Sequence, residues 1–288
     1  MLNKVYILKK LKEVELYEKE IDRRLERLNE LVEMRIQKFK MMNFAPKGIV
    51  ADFGTGIGVD LLALATMGCD AEFVGVDLTY KGLKTAKNLL RGKGNFHFVR
   101  ADLLHPPFRD EAFDAINFSH VLHHHPLRFL KNILEEASRV CKDNSSILIA
   151  EPCQLNEEQT LTNEINHIRR AINDLENLSS IYDLEKLEDL NYELSAFAYY
   201  GNIYPSILHE ILEKLGFRIM QSRFIGAKTK PTQTIEGIKQ KISLLTISDE
   251  ARQYLSLILE DLEEKCSKIS PLPQFLCCIK ATKERTTK

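Results

Sequence analysis

Apolar residues near the start of the chain recur at three- and four-residue steps. Leu11, Val14, Ile21, Leu25, Leu28 and Val32 form one stripe, with Glu, Lys and Arg between them. That period belongs to an amphipathic helix and predicts one long helix from Val5 to Phe39. The stripe can lie on the body of its own chain, or it can pair with a second copy as a coiled-coil homodimer. Glu18 falls on the seam and interrupts it. After Ala45-Pro46-Lys47 the pattern changes to short apolar runs alternating with amphipathic stretches. Strands are predicted at Gly48–Phe53, Ala71–Asp77, Asn95–Arg100, Phe113–Phe118 and Ser145–Ala150, with helices at Val59–Met67, Tyr80–Leu90 and Leu127–Val140. Strand–helix alternation with tight turns implies a parallel sheet covered by helices on both faces.

The alternation stops at Glu151. From there to Tyr204 no strand pattern is visible, and Leu161, Ile165, Ile168, Ile172 and Leu175 step by three and four as on a helix. Pro205–Leu215 then reads as a helix ended by Gly216, and Phe217–Met220 as a strand. A second departure, 229–273, is mainly helical around Glu250–Lys265, and Gln274–Lys280 reads as the last strand. The organisation expected is an N-terminal helical extension (1–45), an α/β core (46–152 and 205–283), a helical cap insertion (153–204) and a second insertion (229–273).

Composition narrows the function. Of 288 residues 44% are hydrophobic and 28% charged, and 40 Lys and Arg against 41 Asp and Glu leave a net charge of -1. The apolar fraction supports a folded core. The balanced charge disfavours a protein that coats nucleic acid non-specifically. The most apolar run, Gly48 to Met67, is broken by Asp52, Asp60 and four glycines, so no membrane span is expected. The N-terminus turns strongly charged after Met-Leu-Asn-Lys and lacks the features of a signal peptide. None of the six cysteines forms a Cys-x-x-Cys pair, which suggests buried thiols in a reducing cytoplasm.

The sharpest motif is Asp52-Phe53-Gly54-Thr55-Gly56-Ile57-Gly58, at the carboxyl end of the first strand and opening a helix. Glycines there let the backbone turn tightly and approach a ligand closely. The spacing differs from the Gly-x-Gly-x-x-Gly of dinucleotide loops, and no Gly-Lys-Ser/Thr follows as in a phosphate-binding Walker loop. Asp77 ends the second strand, where a carboxylate can accept both hydrogen bonds of a ribose diol or can cap the next helix. Asp102 follows the third strand and suits the exocyclic amine of a purine. Acids after consecutive strands fall on one sheet edge, the edge at which open α/β sheets bind ligands.

With these residues the chain resembles the class I S-adenosylmethionine-dependent methyltransferases, over roughly Gly48–Pro152, Pro205–Arg223 and Gln274–Lys283. The resemblance implies a Rossmann-like seven-stranded sheet and S-adenosylmethionine as cofactor. It implies a cofactor site at Asp52, Gly54, Thr55, Gly56, Gly58, Asp77, Leu78, Asp102, Leu103 and Ser119. Phe113-Asp114-Ala115-Ile116 resembles the family's fourth strand. Val121-Leu122-His123-His124 is similar to small-molecule methyltransferases of the ubiquinone-biosynthesis type. The usual Lys-Pro-Gly-Gly turn is replaced by Lys142-Asp143-Asn144-Ser145. An Asn/Asp-Pro-Pro-aromatic motif of exocyclic-amine methylation is absent, since Asn117-Phe118-Ser119-His120 stands there.

The implied function is methyl transfer to a small-molecule acceptor, with an RNA or protein acceptor, or a non-catalytic scaffold, as alternatives. Of the clustered histidines, His120 and His123 are the candidates for a general base. The cluster lacks the ligand geometry of a metal site, so none is expected. Tyr199, Tyr200 and Tyr204 are candidates for the wall of the acceptor pocket.

Overall fold

The computed structural model describes residues 10, 14–15, 17–125, 127–153, 161, 164–165, 168–169, 172, 203–229, 231–268 and 272–285. Seven strands form one sheet: β1 (Gly48–Phe53), β2 (Ala71–Asp77), β3 (Asn95–Arg100), β4 (Phe113–Ser119), β5 (Cys141–Pro152), β6 (Phe217–Thr229) and β7 (Leu272–Lys283). Their order across the sheet is β3-β2-β1-β4-β5-β7-β6. The first five are parallel, and β7 runs antiparallel to both of its neighbours. This is the Rossmann-like seven-stranded sheet that the resemblance implies, and its parallel half is the one the strand–helix alternation predicts.

The central strands are apolar on both faces, as a parallel sheet covered on both sides requires. Successive residues divide between two cores. Ala51, Ile116 and Ile149 pack on one side with α5 (Leu127–Val140) and α6 (Pro205–Lys214), through Leu130, Leu134, Leu208 and Leu212. Val50, Ala115 and Leu148 pack on the other with α3 (Val59–Thr66), through Leu61 and Leu64. The remaining helix of the parallel half, α4 (Tyr80–Leu89), joins β2 to β3.

Three expectations need correction. The single N-terminal helix is interrupted: α1 (Ile21–Glu26) and α2 (Leu28–Met41) are separated at Arg27, and Glu20 is a turn residue. Arg24 N–H donates to the Glu20 carbonyl and Leu31 N–H to the Arg27 carbonyl, so each break residue accepts the first hydrogen bond of the helix that follows it. Beyond the second break, α2 lays Ile36 and Phe39 on the second core. Second, β5 begins at Cys141, not Ser145. The segment taken as a turn is absorbed by a register shift, with Phe113 opposite Cys141 but Ala115 opposite Ser146. Asn144 takes the strain at φ 59°. Third, β6 and β7 are much longer than expected.

That length matters. Leu276 of β7 lies opposite Pro152, the last residue of β5, and also opposite Ile225. The β6–β7 ladder continues through four more pairs to Thr229–Leu272, about 13 Å of paired strand beyond the carboxyl end of β5. It carries α7 (Pro231–Leu244) and α8 (Asp249–Lys268). These helices have their own core, in which Ile235, Ile238, Ile242, Leu255 and Leu259 pack with Leu161, Ile165 and Ile172. Residues of both insertions therefore share one hydrophobic cluster.

Candidate cofactor and acceptor site

The carboxyl ends of β3, β2, β1, β4 and β5 bring Asp102, Asp77, the glycine loop, Ser119 and Glu151 to one edge. Gly54, Gly56 and Gly58 have φ of 83°, 53° and 81°, conformations closed to most other residues. The loop folds back on β2, where Gly54 and Thr55 N–H both donate to the Val76 carbonyl (2.8 and 3.0 Å). A Cβ added at Gly54 would stand 2.4 Å from Val121, so the histidine-bearing loop packs directly on the first glycine.

Asp77 does two jobs. One oxygen accepts from Gly56 N–H (2.7 Å), and the other from Thr79 N–H and Oγ1 (2.8 and 2.7 Å). Three bonds leave acceptor capacity on a carboxylate, so the local turn and a ribose diol are compatible demands. Asp102 Oδ1 accepts from Leu104 N–H (3.0 Å), with Leu103 buried beside it and Leu78 partly exposed. Two strand-end carboxylates with spare acceptor capacity beside an apolar wall are compatible with the ribose and adenine of S-adenosylmethionine, whereas the space a Cβ would take at Gly54 and Gly56 is filled by Val121 and Tyr17 of the chain itself.

Beneath the loop lies a buried charge network. Asp52 accepts from Thr55 Oγ1 and Asn117 Nδ2, both at 2.7 Å. Burial, and then the charge of Asp60, push its carboxyl up to about 7. Asp60, in the first turn of α3, accepts from Arg35 Nε (3.1 Å) and from Lys38 Nζ. Burial raises the Asp60 carboxyl, but Lys38 and Arg35 outweigh it and hold it down at about 2. Lys38 also donates to Ser119 Oγ (2.9 Å), so the predicted cofactor residue Ser119 is tied to α2. Asn117, Asp60, Arg35 and Lys38 carried no motif in the sequence. The signal present was charge inside an apolar stripe: Lys38 sits beside Phe39 on the face that α2 buries.

Glu151 closes the edge on the β5 side, and sequence reasoning used it only as a boundary. It is fully buried. Oε1 accepts from Val121 and Leu122 N–H (2.8 and 2.9 Å), and Oε2 from His123 N–H (3.4 Å). His123 Nδ1 lies 2.7 Å from Oε2. Burial pushes the Glu151 carboxyl up, while the Leu122 and Val121 N–H donors oppose that shift; where they prevail, the shared proton sits on Nδ1 and Nε2 is the free acceptor position of the ring. His120 differs. Its backbone is strained at φ 56°, and burial, helped by the Arg35 charge, pushes its imidazole down to about 3. The structure thus separates the two candidate bases: His123 has a carboxylate partner, and His120 is held neutral. No group of three His, Cys, Asp or Glu among the described residues is placed to hold a metal ion.

The N-terminal segment crosses this same edge. Lys10 Nζ donates to the His124 carbonyl (3.1 Å), Ile57 N–H to Tyr17 Oη (3.1 Å) and Lys81 N–H to Glu18 Oε1 (2.9 Å). A Cβ at Gly56 would fall 2.0 Å from the Tyr17 hydroxyl. Gly56 therefore makes room for a side chain of its own chain. Of the three tyrosines expected at the acceptor pocket, Tyr199 and Tyr200 lie outside the described residues. Tyr204 is 40% exposed and precedes α6.

Known proteins share this plan. A demethylmenaquinone methyltransferase of Clavibacter sepedonicus is 32% identical over 102 residues, 35% of this chain and 40% of that protein. A malonyl-[acyl-carrier protein] O-methyltransferase of Legionella pneumophila is 24% identical over 177 residues, 60% of this chain and 61% of that one. The chain thus spans about half the length of the curated relatives it matches. A crystal structure of a Bacillus halodurans protein described as a methyltransferase superposes with a TM-score of 0.57 at 19% identity. It covers 86% of this chain and 99% of that one, a likeness of fold. The family model of the methyltransferase domain matches residues 45–216, more than half of the chain. On that match and this fold, the chain belongs to the class I S-adenosylmethionine-dependent methyltransferases.

Proposed function

We propose that this protein methylates a small-molecule acceptor, bound between the cofactor edge and a helical cap. The observation that carries this reading is the β6–β7 ladder running past Pro152 and bearing α7 and α8, with Leu161, Ile165 and Ile172 in the same apolar cluster. A cap with its own core, built out beyond the carboxyl edge, suits an enclosed acceptor better than an RNA or a protein chain. Residues 153–204 and 229–273 act as one cap over a core formed by 46–152 with 205–228 and 274–283. The names of the two curated relatives agree with acceptors outside nucleic acid. The six cysteines, all thiols in this structure, suit a reducing cytoplasm. A scaffold role is disfavoured by the methyltransferase-domain match over residues 45–216, not by Asp77 and Asp102, which also hold their own turns.

S-adenosylmethionine, when bound, supplies an electrophilic methyl group on a sulfonium, transferred by in-line displacement. The chain's own task is to align the acceptor, exclude water and accept a proton from it. Asp77, Asp102, the glycine loop, Leu78 and Leu103 hold the cofactor. His123, oriented by Glu151, accepts the acceptor's proton at Nε2. Cofactor labelled on its methyl group, incubated with a size-fractionated cell extract and the purified protein, tests the reading. Label should pass into the small-molecule fraction, and transfer confined to RNA or protein would overturn it.

A further inference from the structure

The sheet order gives the cofactor a direction. Asp102, Asp77 and the glycine loop follow β3, β2 and β1, which are consecutive neighbours. With adenine at Asp102 and ribose at Asp77, the amino-acid end reaches Gly54–Ile57 and the loop beyond β4. That end carries an α-carboxylate, and a carboxylate leaving water needs a cation or convergent donors. The core strands offer none. Of the cations nearby, Lys38 is held by Asp60 and Ser119, Arg35 is anchored through Nε to Asp60, Lys81 donates to the Glu18 carbonyl and Lys10 to the His124 carbonyl.

Arg24 is different. Its guanidinium stacks on the Tyr17 ring, 4.6 Å from the centroid. The hydroxyl of that ring accepts from Ile57 N–H in the glycine loop. Arg24 thus lies within one aromatic ring's length of the loop amides. Its Nε is buried, and no described residue accepts its hydrogen bond. A buried guanidinium nitrogen left without an acceptor is costly, and such a group is explained by a ligand that supplies one. The Tyr17 hydroxyl is kept protonated, since burial pushes it up to about 12, so it remains a donor for an anion beside it.

We propose that Arg24, steadied by the Tyr17 ring, binds the α-carboxylate of S-adenosylmethionine, which makes the N-terminal segment a wall of the cofactor site. The proposal rests on placement of the cofactor at this sheet edge. The family's glycine loop and strand-end acids do not by themselves assign this contact.

The test crosses a change in the protein with a change in the ligand. Binding of S-adenosylmethionine and of decarboxylated S-adenosylmethionine, which lacks only the carboxylate, is measured by calorimetry on the full chain. Wild type should prefer the carboxylate-bearing ligand by about 10- to 100-fold, the range of one charge-assisted hydrogen bond to a charged partner. Arg24→Gln should abolish that preference while leaving affinity for the decarboxylated ligand within about twofold, and Arg24→Lys should restore part of it. Equal weakening of both ligands by Arg24→Gln would mean a packing role only and overturns the proposal. An undiminished preference in Arg24→Gln overturns it as well. A wild type that binds neither ligand overturns the cofactor placement itself, a result visible before any variant is made.

Discussion

Asp77 and Asp52 are both acids at the end of a strand, yet their surroundings give them opposite tasks. Asp77 faces the rim and keeps acceptor capacity after bonding Gly56 and Thr79. Asp77→Ala should therefore weaken S-adenosylmethionine binding by about 1.5–3 kcal/mol, measured by calorimetry. An unchanged affinity would remove it from the site. Asp52 is sealed beneath the loop and binds its proton more tightly in the folded state than in the unfolded chain. Between the ordinary carboxylate range near pH 4 and about pH 7, the folded state holds that proton and the unfolded chain has released it. Folding stability from this group is thus complete below pH 4 and declines as pH rises to 7. Asp52→Asn keeps a neutral, hydrogen-bonding group and should remove that decline. The difference in urea midpoint between variant and wild type should grow in the variant's favour from pH 4.5 to 7.5; a pH-independent difference would show that Asp52 is ionised throughout. His123 and His120 provide a third contrast. His123→Asn should lower kcat by about 10²-fold or more with cofactor affinity retained, while His120→Asn should leave the acidic limb of the pH profile, set by protonation of the base, in place. The reverse ranking would transfer the proton-accepting role to His120.

At the scale of elements, the parallel core was legible because its signals are local. Glycines at positive φ, acids after strands and the two-residue alternation of Val50/Ala51 and Ala115/Ile116 are all written within a few residues. What escaped was held by partners far apart in sequence. Glu151 meets His123 across 28 residues, and Lys38 meets Ser119 across 81. No spacing rule links such positions, since only the order of strands brings them together. The helix break at Arg27 was equally hidden, with neither Gly nor Pro to mark it. Lys38 now defines how α2 is attached: its ammonium is almost fully enclosed between Asp60 and Ser119. Removing one partner of a buried pair strands the other, so Lys38→Met should cost about 3 kcal/mol in urea unfolding. Lys38→Met with Asp60→Leu should recover only part of that loss, because the apolar pair needs no desolvation while Arg35 loses its Asp60 partner. A double variant as unstable as the single one would show that the pair does more than neutralise itself.

Considered as a whole, the molecule has two apolar systems that meet at one edge. The sheet and its flanking helices form the first, and Asp77, Asp102 and Glu151 all stand on it. The second joins α7 and α8 to Leu161, Ile165 and Ile172, and the paired arms of β6 and β7 carry it beyond the carboxyl end of β5. Described residues of two insertions that were read separately in the sequence share that cluster. If the cap houses the acceptor while the sheet edge houses the cofactor, loosening the cap should separate the two functions. Ile238 and Leu255 are buried in the cap cluster and have no contact with Asp77 or Asp102 through it. Ile238→Ala or Leu255→Ala should cost about 2–5 kcal/mol within the cap. Cofactor affinity should stay within about twofold, while acceptor turnover falls at least tenfold, because the acceptor's half of the site is no longer fixed against the cofactor's. Leu134→Ala, an equivalent truncation in the core beneath the cofactor edge, is the control: it should lower the unfolding midpoint of the sheet domain and weaken cofactor binding together with turnover. Cap variants that lose cofactor affinity in step with turnover would show the two systems to be one cooperative body, and cap variants with full turnover would place the acceptor outside the cap.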